Sequence, residues 1–398
     1  MSFELSKEHE DFRKVVRDFA ESVVAPHVEK WDAEHHFPVD VVKQMGELGF
    51  FGLTAPEEFG GAGGDFTSLC VAIEELGRVD QSIGITLSAG VGLGINPILS
   101  FGNAEQKQTW LPDLVAGRAL AGFGLTEPEA GSDAGASRTK ARLKPAASGE
   151  GDEWVVDGAK AFITNSGTDI TSVVTVTART GTLPGGRPEI SAIIIPSGTA
   201  GFTVEPAYRK LGWHISDTHG LTFESCRVPE GNLLGERGRG FHQFLAILDD
   251  GRIAISALAV GLAQACLEAC QAQANTRKAF GRLIGSNQGV AFPIADLAVS
   301  IEAGRLLTYR AAWLKDECTQ GRRSHAEVKH AAAVAKLHTS VAAVDATRVA
   351  TQVFGGSGFM EEYPVARFYR DAKILEIGEG TSEVQRLVIA RSLGLPVN

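Results

Sequence analysis

The spacing of apolar residues changes character twice along the chain, and this limits the fold more than any other feature. Up to about residue 120 the apolar positions recur at helical spacing, as in Phe12, Val15, Val16, Phe19 and Val23. Pro26, Pro38, Pro56 and the Gly60-Gly61-Ala62-Gly63-Gly64 run separate one helical stretch from the next. From about 121 to 235 the signal becomes short β-branched runs: Glu153–Val156, Ser172–Thr177, Ser191–Ile195, Phe202–Val204 and Leu221–Phe223. Gly, Pro, Asp and Asn punctuate them and no helical pattern intervenes, which predicts an antiparallel barrel or sandwich rather than βαβ units. From 236 onward helical spacing returns in four stretches, Leu245–Thr276, Val290–Thr319, Ala326–Phe354 and Thr381–Leu393, broken at Gly355-Gly356-Ser357-Gly358. The expectation is a multidomain α+β protein. A helical domain spans 1–120, a middle β-domain 121–235 and a C-terminal four-helix bundle 236–398.

Charge and cysteine usage narrow the function classes. Asp and Glu total 48 against 38 Lys and Arg, a net charge of -10 that disfavours nucleic-acid binding. Five cysteines form no CxxC pair, which fits a reducing compartment and gives no disulfide framework or metal site. Cys266 and Cys270 lie one helical turn apart in an alanine-rich stretch, where small apolar residues on a buried face are the simpler reading. Met1-Ser2-Phe3-Glu4 carries no basic and apolar leader, and the longest apolar run, Ile253–Ala263, falls short of the roughly 18 residues of a membrane span. A cytoplasmic protein without a membrane span is expected.

The common nucleotide loops are missing. There is no GxGxxG following a strand, no GxxxxGK[ST], no HExxH and no GxSxG. Any cofactor must be held by other means. Two segments offer such means. Leu125-Thr126-Glu127-Pro128-Glu129-Ala130-Gly131-Ser132-Asp133 sits where the first zone meets the second, and Phe162-Ile163-Thr164-Asn165 ends a strand. Taken alone, the first is a loop of turn formers. The plainer reading is an entry loop to the β-domain; the functional one is a set of backbone N–H groups and hydroxyls that bind a polar heteroaromatic ring and an anionic linker.

Together with three later segments, these motifs resemble the acyl-CoA dehydrogenase family. The family pattern LTEPxAGSD stands intact at 125–133. Arg277-Lys278-Ala279-Phe280-Gly281 with Gln288 is similar to its RxxFG…Q element. Gln352-Val353-Phe354-Gly355-Gly356-Ser357-Gly358-Phe359 is similar to QxxGGxGF, and Glu379-Gly380-Thr381-Ser382-Glu383-Val384-Gln385-Arg386 to EGTSExQR. The motifs occur in order, and the helical–β–helical arrangement matches over essentially the whole chain. The closest fit is a short-chain or general bacterial type.

The resemblance implies FAD as cofactor and acyl-CoA as substrate. It places Phe123, Leu125, Thr126, Ser132, Phe162, Ile163 and Thr164 around the flavin ring, with Thr126 on the pyrimidine side and Thr164 near N5. It places Arg277, Phe280, Gln288, Gln352, Val353, Gly355, Gly356, Thr381 and Glu383 along the nucleotide end, some donated by a neighbouring subunit. Arginine suits phosphate, paired glycines admit close backbone approach, and a helix start favours anions. Ser132, Asp249, Arg252 and Gly380 would hold the CoA thioester, although Arg252 could equally form a helix ion pair with Asp249 or Asp250. Glu379 would be the catalytic base. Read without the motif, it is a charged residue between two glycines before a helix cap, the ordinary setting of a surface carboxylate. The resemblance further implies a homotetramer built as a dimer of dimers, and electron-transfer flavoprotein as the acceptor.

Some positions depart from the commoner family pattern. Gly378 stands where many members have Tyr, and Phe162 where many have Trp. A few members carry the base on the long helix at the position of Gly251, which has no carboxylate here. Trp213 and His214 either shape the substrate entrance or anchor a loop. Two other readings remain: an oxygen-using flavin oxidase or monooxygenase of the same fold, and a non-catalytic fold relative. The first usually lacks the Glu or has longer tails. The second would be marked by a basic C-terminal extension.

Overall fold

The computed structural model describes residues 4–146, 149 and 151–397, so Met1–Phe3 and the final Asn398 lie outside the described residues. The first helices are α1 (Lys7–Phe19), α2 (Val28–Glu34), α3 (Val39–Glu47), α4 (Phe66–Val79), α5 (Gln81–Ala89), α6 (Asn96–Phe101) and α7 (Ala104–Val115). Their starts follow from local chemistry. Ser6, Asp65, Asp80 and Asn103 each accept a hydrogen bond from a backbone N–H in the first turn of the helix they precede. Phe12 and Phe19 pack edge-on against Phe50, 6.1 and 5.6 Å between ring centres, and tie α1 to the segment after α3.

Eight strands follow: β1 (Leu120–Gly124), β2 (Lys140–Pro145), β3 (Asp152–Thr164), β4 (Thr171–Thr182), β5 (Pro188–Pro196), β6 (Phe202–Val204), β7 (Thr218–Pro229) and β8 (Leu233–Leu234). They form one sheet in the order β6-β7-β3-β2-β4-β5-β8, with β1 paired to β4. Most pairs are antiparallel, but β1 runs parallel to β4, as does β2 where Lys140 meets Arg179. These two parallel pairs depart from the antiparallel expectation. The β1–β4 pair arises because β1 enters directly from α7 and the β2–β3 hairpin intervenes before β4. The strands alternate between two cores. On β5, Ala192 and Ile194 face the helical core, while Ile193 and Ile195 face the interior of the β-domain beside Trp154, Val174 and Phe223. Burial on both faces explains why these strands read as continuous apolar runs.

The last part holds α8 (Gly240–Thr276), a small hairpin of β9 (Lys278–Ala279) and β10 (Arg282–Leu283), α9 (Gln288–Thr319), α10 (His325–Phe354), α11 (Pro364–Ala372) and α12 (Ser382–Ser392). A capping box of Ser324 and Glu327 starts α10. Short connections make α8, α9 and α10 alternate in direction, so α8 and α10 run parallel. Helix α8 is long and apolar enough to cross a membrane, as is the stretch Gln81–Phe101, against the expectation drawn from the longest apolar run. Both are 83% buried, and α8 packs on α4, α9 and α10 as the central rod of the helical core. Cys266 and Cys270 are free thiols on its buried face.

Candidate active site

Glu379 lies in the turn between the 3-10 segment Lys373–Glu376 and α12. Its φ is 55° and that of Gly380 is 88°, so two successive left-handed residues reverse the chain. For glutamate this conformation costs about 1–3 kcal/mol. Buried donors hold the turn: Gln385 Nε2 donates to the carbonyls of Glu379 (3.2 Å) and Gly380 (2.8 Å), and Lys336 Nζ to that of Gly380 (2.7 Å). The Thr381 hydroxyl caps α12, accepting from Val384 N–H at 3.3 Å.

The turn directs the carboxyl inward. Oε2 of Glu379 is buried and has no hydrogen-bond partner among the described residues. It lies against Gly251 of α8, where a Cβ would be only 2.6 Å away. A side chain at 251 and the carboxyl at 379 therefore compete for one space. Burial pushes the Glu379 carboxyl up to about 7, against the pull of Arg252 and Lys336 toward the ionised form. Arg252 and Asp249 are both buried and bonded to each other, one helical turn apart, which is the helix ion pair considered above. Asp249 also faces His325 at 3.3 Å, whereas Asp250 turns to Lys315 at 2.7 Å.

The second group forms at the edge of the β-domain. Phe123 stacks on Phe244 of α8 at 4.0 Å, and both rings are buried. The Ala161 N–H donates to the Thr126 carbonyl at 2.9 Å, which sets Thr126 beside the end of β3. Phe162 is left-handed at φ 61° and leaves its ring 65% exposed next to Tyr208. Thr164 is half-buried there and Ser132 is exposed. The Leu125 and Ile163 side chains do not join this surface, because Leu125 packs in the helical core and Ile163 in the β-domain interior. Only their backbones are available to a ligand.

The loop at 125–127 rests on a buried ion pair that the motif reading passed over. The Glu127 carboxylate accepts from Lys160 Nζ at 2.8 Å, from the Ser137 hydroxyl and from the backbone N–H groups of Arg138 (2.5 Å) and Thr139 (3.1 Å). Burial opposes ionisation of Glu127, but Lys160 and the hydroxyl donors outweigh it and hold the carboxyl at about 2. Burial lowers the Lys160 ammonium to about 8 against the attraction of Glu127. Asp217 fixes the other side of the site, accepting from the N–H groups of Ser166 and Gly167, each at 2.9 Å.

A third group sits apart. Arg277 and Phe280 lie between α8 and α9, Gln288 opens α9, Gln352 and Val353 stand in the last turn of α10, and Gly355 and Gly356 follow it. The helix directions put both sets at the same end of the bundle. Phe280, at φ 52°, is 99% exposed, and a Cβ on Gly355 or Gly356 would meet open space. The 25 residues from Arg252 to Arg277 make about 38 Å of helix. One chain therefore does not bring this group to its own Glu379.

Residues 6–118 match the acyl-CoA dehydrogenase N-terminal domain, 122–226 the middle domain and 238–394 the C-terminal domain. A probable acyl-CoA dehydrogenase of Bacillus subtilis is 49% identical over 393 residues, 99% of this chain and 100% of that protein. The structure of butyryl-CoA dehydrogenase from Megasphaera elsdenii superposes with a TM-score of 0.92 at 40% identity, covering 99% of this chain and 100% of that one. An acyl-CoA dehydrogenase from Bacillus anthracis, solved in complex with FAD, has a TM-score of 0.89 at 34% identity, covering 99% of this chain and 69% of that one. The chain belongs to the acyl-CoA dehydrogenase family.

Membership makes the protein an FAD-dependent oxidoreductase, and the residues present fit that cofactor. Thr126 and Thr164 supply hydroxyls beside an exposed aromatic ring, and the N-terminus of α12 is suited to an anion. Trp213 and His214 prove to anchor a junction of all three regions. The left-handed Trp213 donates its backbone N–H to the buried Asp371 of α11 at 2.6 Å. His214 stacks on His35 at 4.1 Å and faces Asp32 at 3.3 Å. Glu127 and Gln385 stand inside the motifs but were given no role there, and Lys336 and Lys160 are supporting residues outside them. The one signal of the two lysines in the sequence is a polar residue at a position whose spacing faces the core.

Proposed function

We propose that the protein oxidises a short acyl-CoA thioester to the trans-2-enoyl-CoA, with Glu379 as the base. The observation that carries this reading is the buried, partnerless Oε2 of Glu379, raised to about 7 by its surroundings. A carboxyl in that range is ionised often enough to take a proton at neutral pH and basic enough to keep it. Bound FAD supplies the acceptor for the hydride that leaves the β-carbon. Glu379 removes the α-proton and ends the turnover as a neutral acid. Arg252, bonded to Asp249, is the nearest fixed positive charge to the reacting end on α8. Polarisation of the thioester oxygen by backbone N–H groups acidifies the α-proton. The likeness to butyryl-CoA dehydrogenase supports a short acyl chain.

The exposed Phe280, Gly355 and Gly356 lie too far along the bundle to serve their own Glu379. We therefore assign Arg277, Phe280, Gln288 and the Gln352–Gly356 loop to the nucleotide of a neighbouring copy in a homotetramer. Electrons then leave to electron-transfer flavoprotein, and the cytoplasm is the expected compartment. The test is anaerobic addition of C4 to C12 acyl-CoAs to the FAD-loaded protein while flavin absorbance is followed. Bleaching is expected with the short members, and Glu379→Gln is expected to keep FAD yet abolish bleaching. No bleaching by any acyl-CoA would overturn the reading, and rapid oxygen consumption with substrate would favour an oxidase.

A further inference from the structure

Lys336 sits in the middle of α10 with no accessible surface, an unusual place for a lysine. Among the described residues no carboxylate lies within ion-pair distance of it. Its single hydrogen bond is the 2.7 Å contact from Nζ to the Gly380 carbonyl, in the residue that follows the proposed base. A buried ammonium held by one carbonyl is costly unless its field acts on something close by. The strongest attracting charge is Glu379, and the other groups that bear on it are Arg252 from α8, Glu376 from the 3-10 turn and Glu383 from α12. Burial lowers Lys336 to about 8, so it is charged at neutral pH.

We propose that Lys336 is a positioning residue for the base. It clamps the left-handed Glu379–Gly380 turn through the Gly380 carbonyl, and its charge favours the ionised form of Glu379. The inference rests on Glu379 acting as the base. Gln385, which donates from α12 to the same Gly380 carbonyl and to that of Glu379, is the neutral half of the clamp. Gln385 thus holds the peptide between Glu379 and Gly380, Lys336 and Gln385 together hold the peptide that follows Gly380, and the carboxyl stays against Gly251. Without Lys336 the turn has only Gln385 to offset its strain, and the base loses one of its two nearby cations.

The test uses K336M, which removes donor and charge, and K336Q, which keeps a donor without the charge and stands in should K336M fail to fold. Single-turnover flavin reduction by a short acyl-CoA is followed from pH 6 to 9.5 in the FAD-loaded protein. Loss of the cation moves the midpoint for base ionisation upward by about one pH unit. At pH 7 the ionised fraction then falls from about one half to about one tenth, roughly fivefold slower reduction, with most of the rate returning by pH 9. Hydrogen–deuterium exchange of the peptide covering 378–383, measured without substrate, is expected to quicken in K336M and less so in K336Q. A merely structural lysine would lower the melting temperature and leave the midpoint alone. An unmoved midpoint in the folded variant overturns the proposal, and so does unchanged exchange at the turn. Absence of bleaching in the wild type would instead count against the proposed reaction, and the exchange measurement would still decide whether Lys336 holds the turn.

Discussion

The perturbed carboxyl of Glu379 has a cost in stability that can be measured apart from catalysis. In the unfolded chain it titrates near its ordinary 4.5, and in the folded protein near 7. A carboxyl raised by folding favours the native state while it is neutral. That contribution is complete below about pH 4.5, declines as the pH rises and is gone once the pH passes about 7. The gap of 2.5 in pKa corresponds to about 3 kcal/mol between the two limits. About a quarter of it has already been lost at pH 5. Glu379→Gln has no such proton to lose. Unfolding entropy for 398 residues is about 0.8 kcal/mol per degree. The melting temperature of E379Q relative to wild type should therefore rise by about 3 °C between pH 5 and pH 8.5. Thermal melts of the two FAD-loaded proteins over that range are the assay, and any pH-independent effect of the amide cancels in the difference. Parallel curves, or a relative loss of stability by E379Q at alkaline pH, would refute the account of a buried, partnerless carboxylate. The same experiment separates burial from chemistry, because it needs no substrate.

Two further outcomes follow from contacts at the site. Lys160→Met leaves Glu127 charged and buried without its cation, so it should cost about 3–5 kcal/mol in urea melts and weaken FAD retention, whereas the double variant with E127Q should cost less than the sum of the two single changes. Gly251→Ala puts a methyl group 2.6 Å from Oε2 of Glu379 and must displace the carboxyl, so flavin reduction should slow at least about tenfold while FAD stays bound; an unaltered reduction rate would show that Glu379 can move aside without loss.

Much of the architecture was legible in the chain. The runs Ser172–Thr177, Ser191–Ile195 and Phe202–Val204 all lie within strands, and the four C-terminal stretches all became helices. Strands β1 and β2 escaped notice because Leu120–Gly124 is small and glycine-bearing and Lys140–Pro145 is largely exposed, so neither shows the β-branched alternation of a half-buried strand. Helix α11 was hidden by its brevity. The motif residues were identified by their order along the chain, but motif order does not say which side chains reach a ligand. Leu125 and Ile163 turned inward to the two cores, and the Arg277 group sits about 38 Å of helix away from Arg252.

By itself the sequence determined the three regions and the family motifs, with Glu379 among their residues, since each depends on local spacing or on a motif contiguous in the chain. The standing of Glu379 was decided only by the tertiary structure. Its neighbours Gly378 and Gly380 describe an ordinary surface loop. Burial of Oε2 comes from Gly251, 128 positions earlier, and the fixed turn comes from Lys336 on another helix and Gln385 on the next. Desolvation and the field of distant charges depend on what packs around a group, and no local run of residues encodes that.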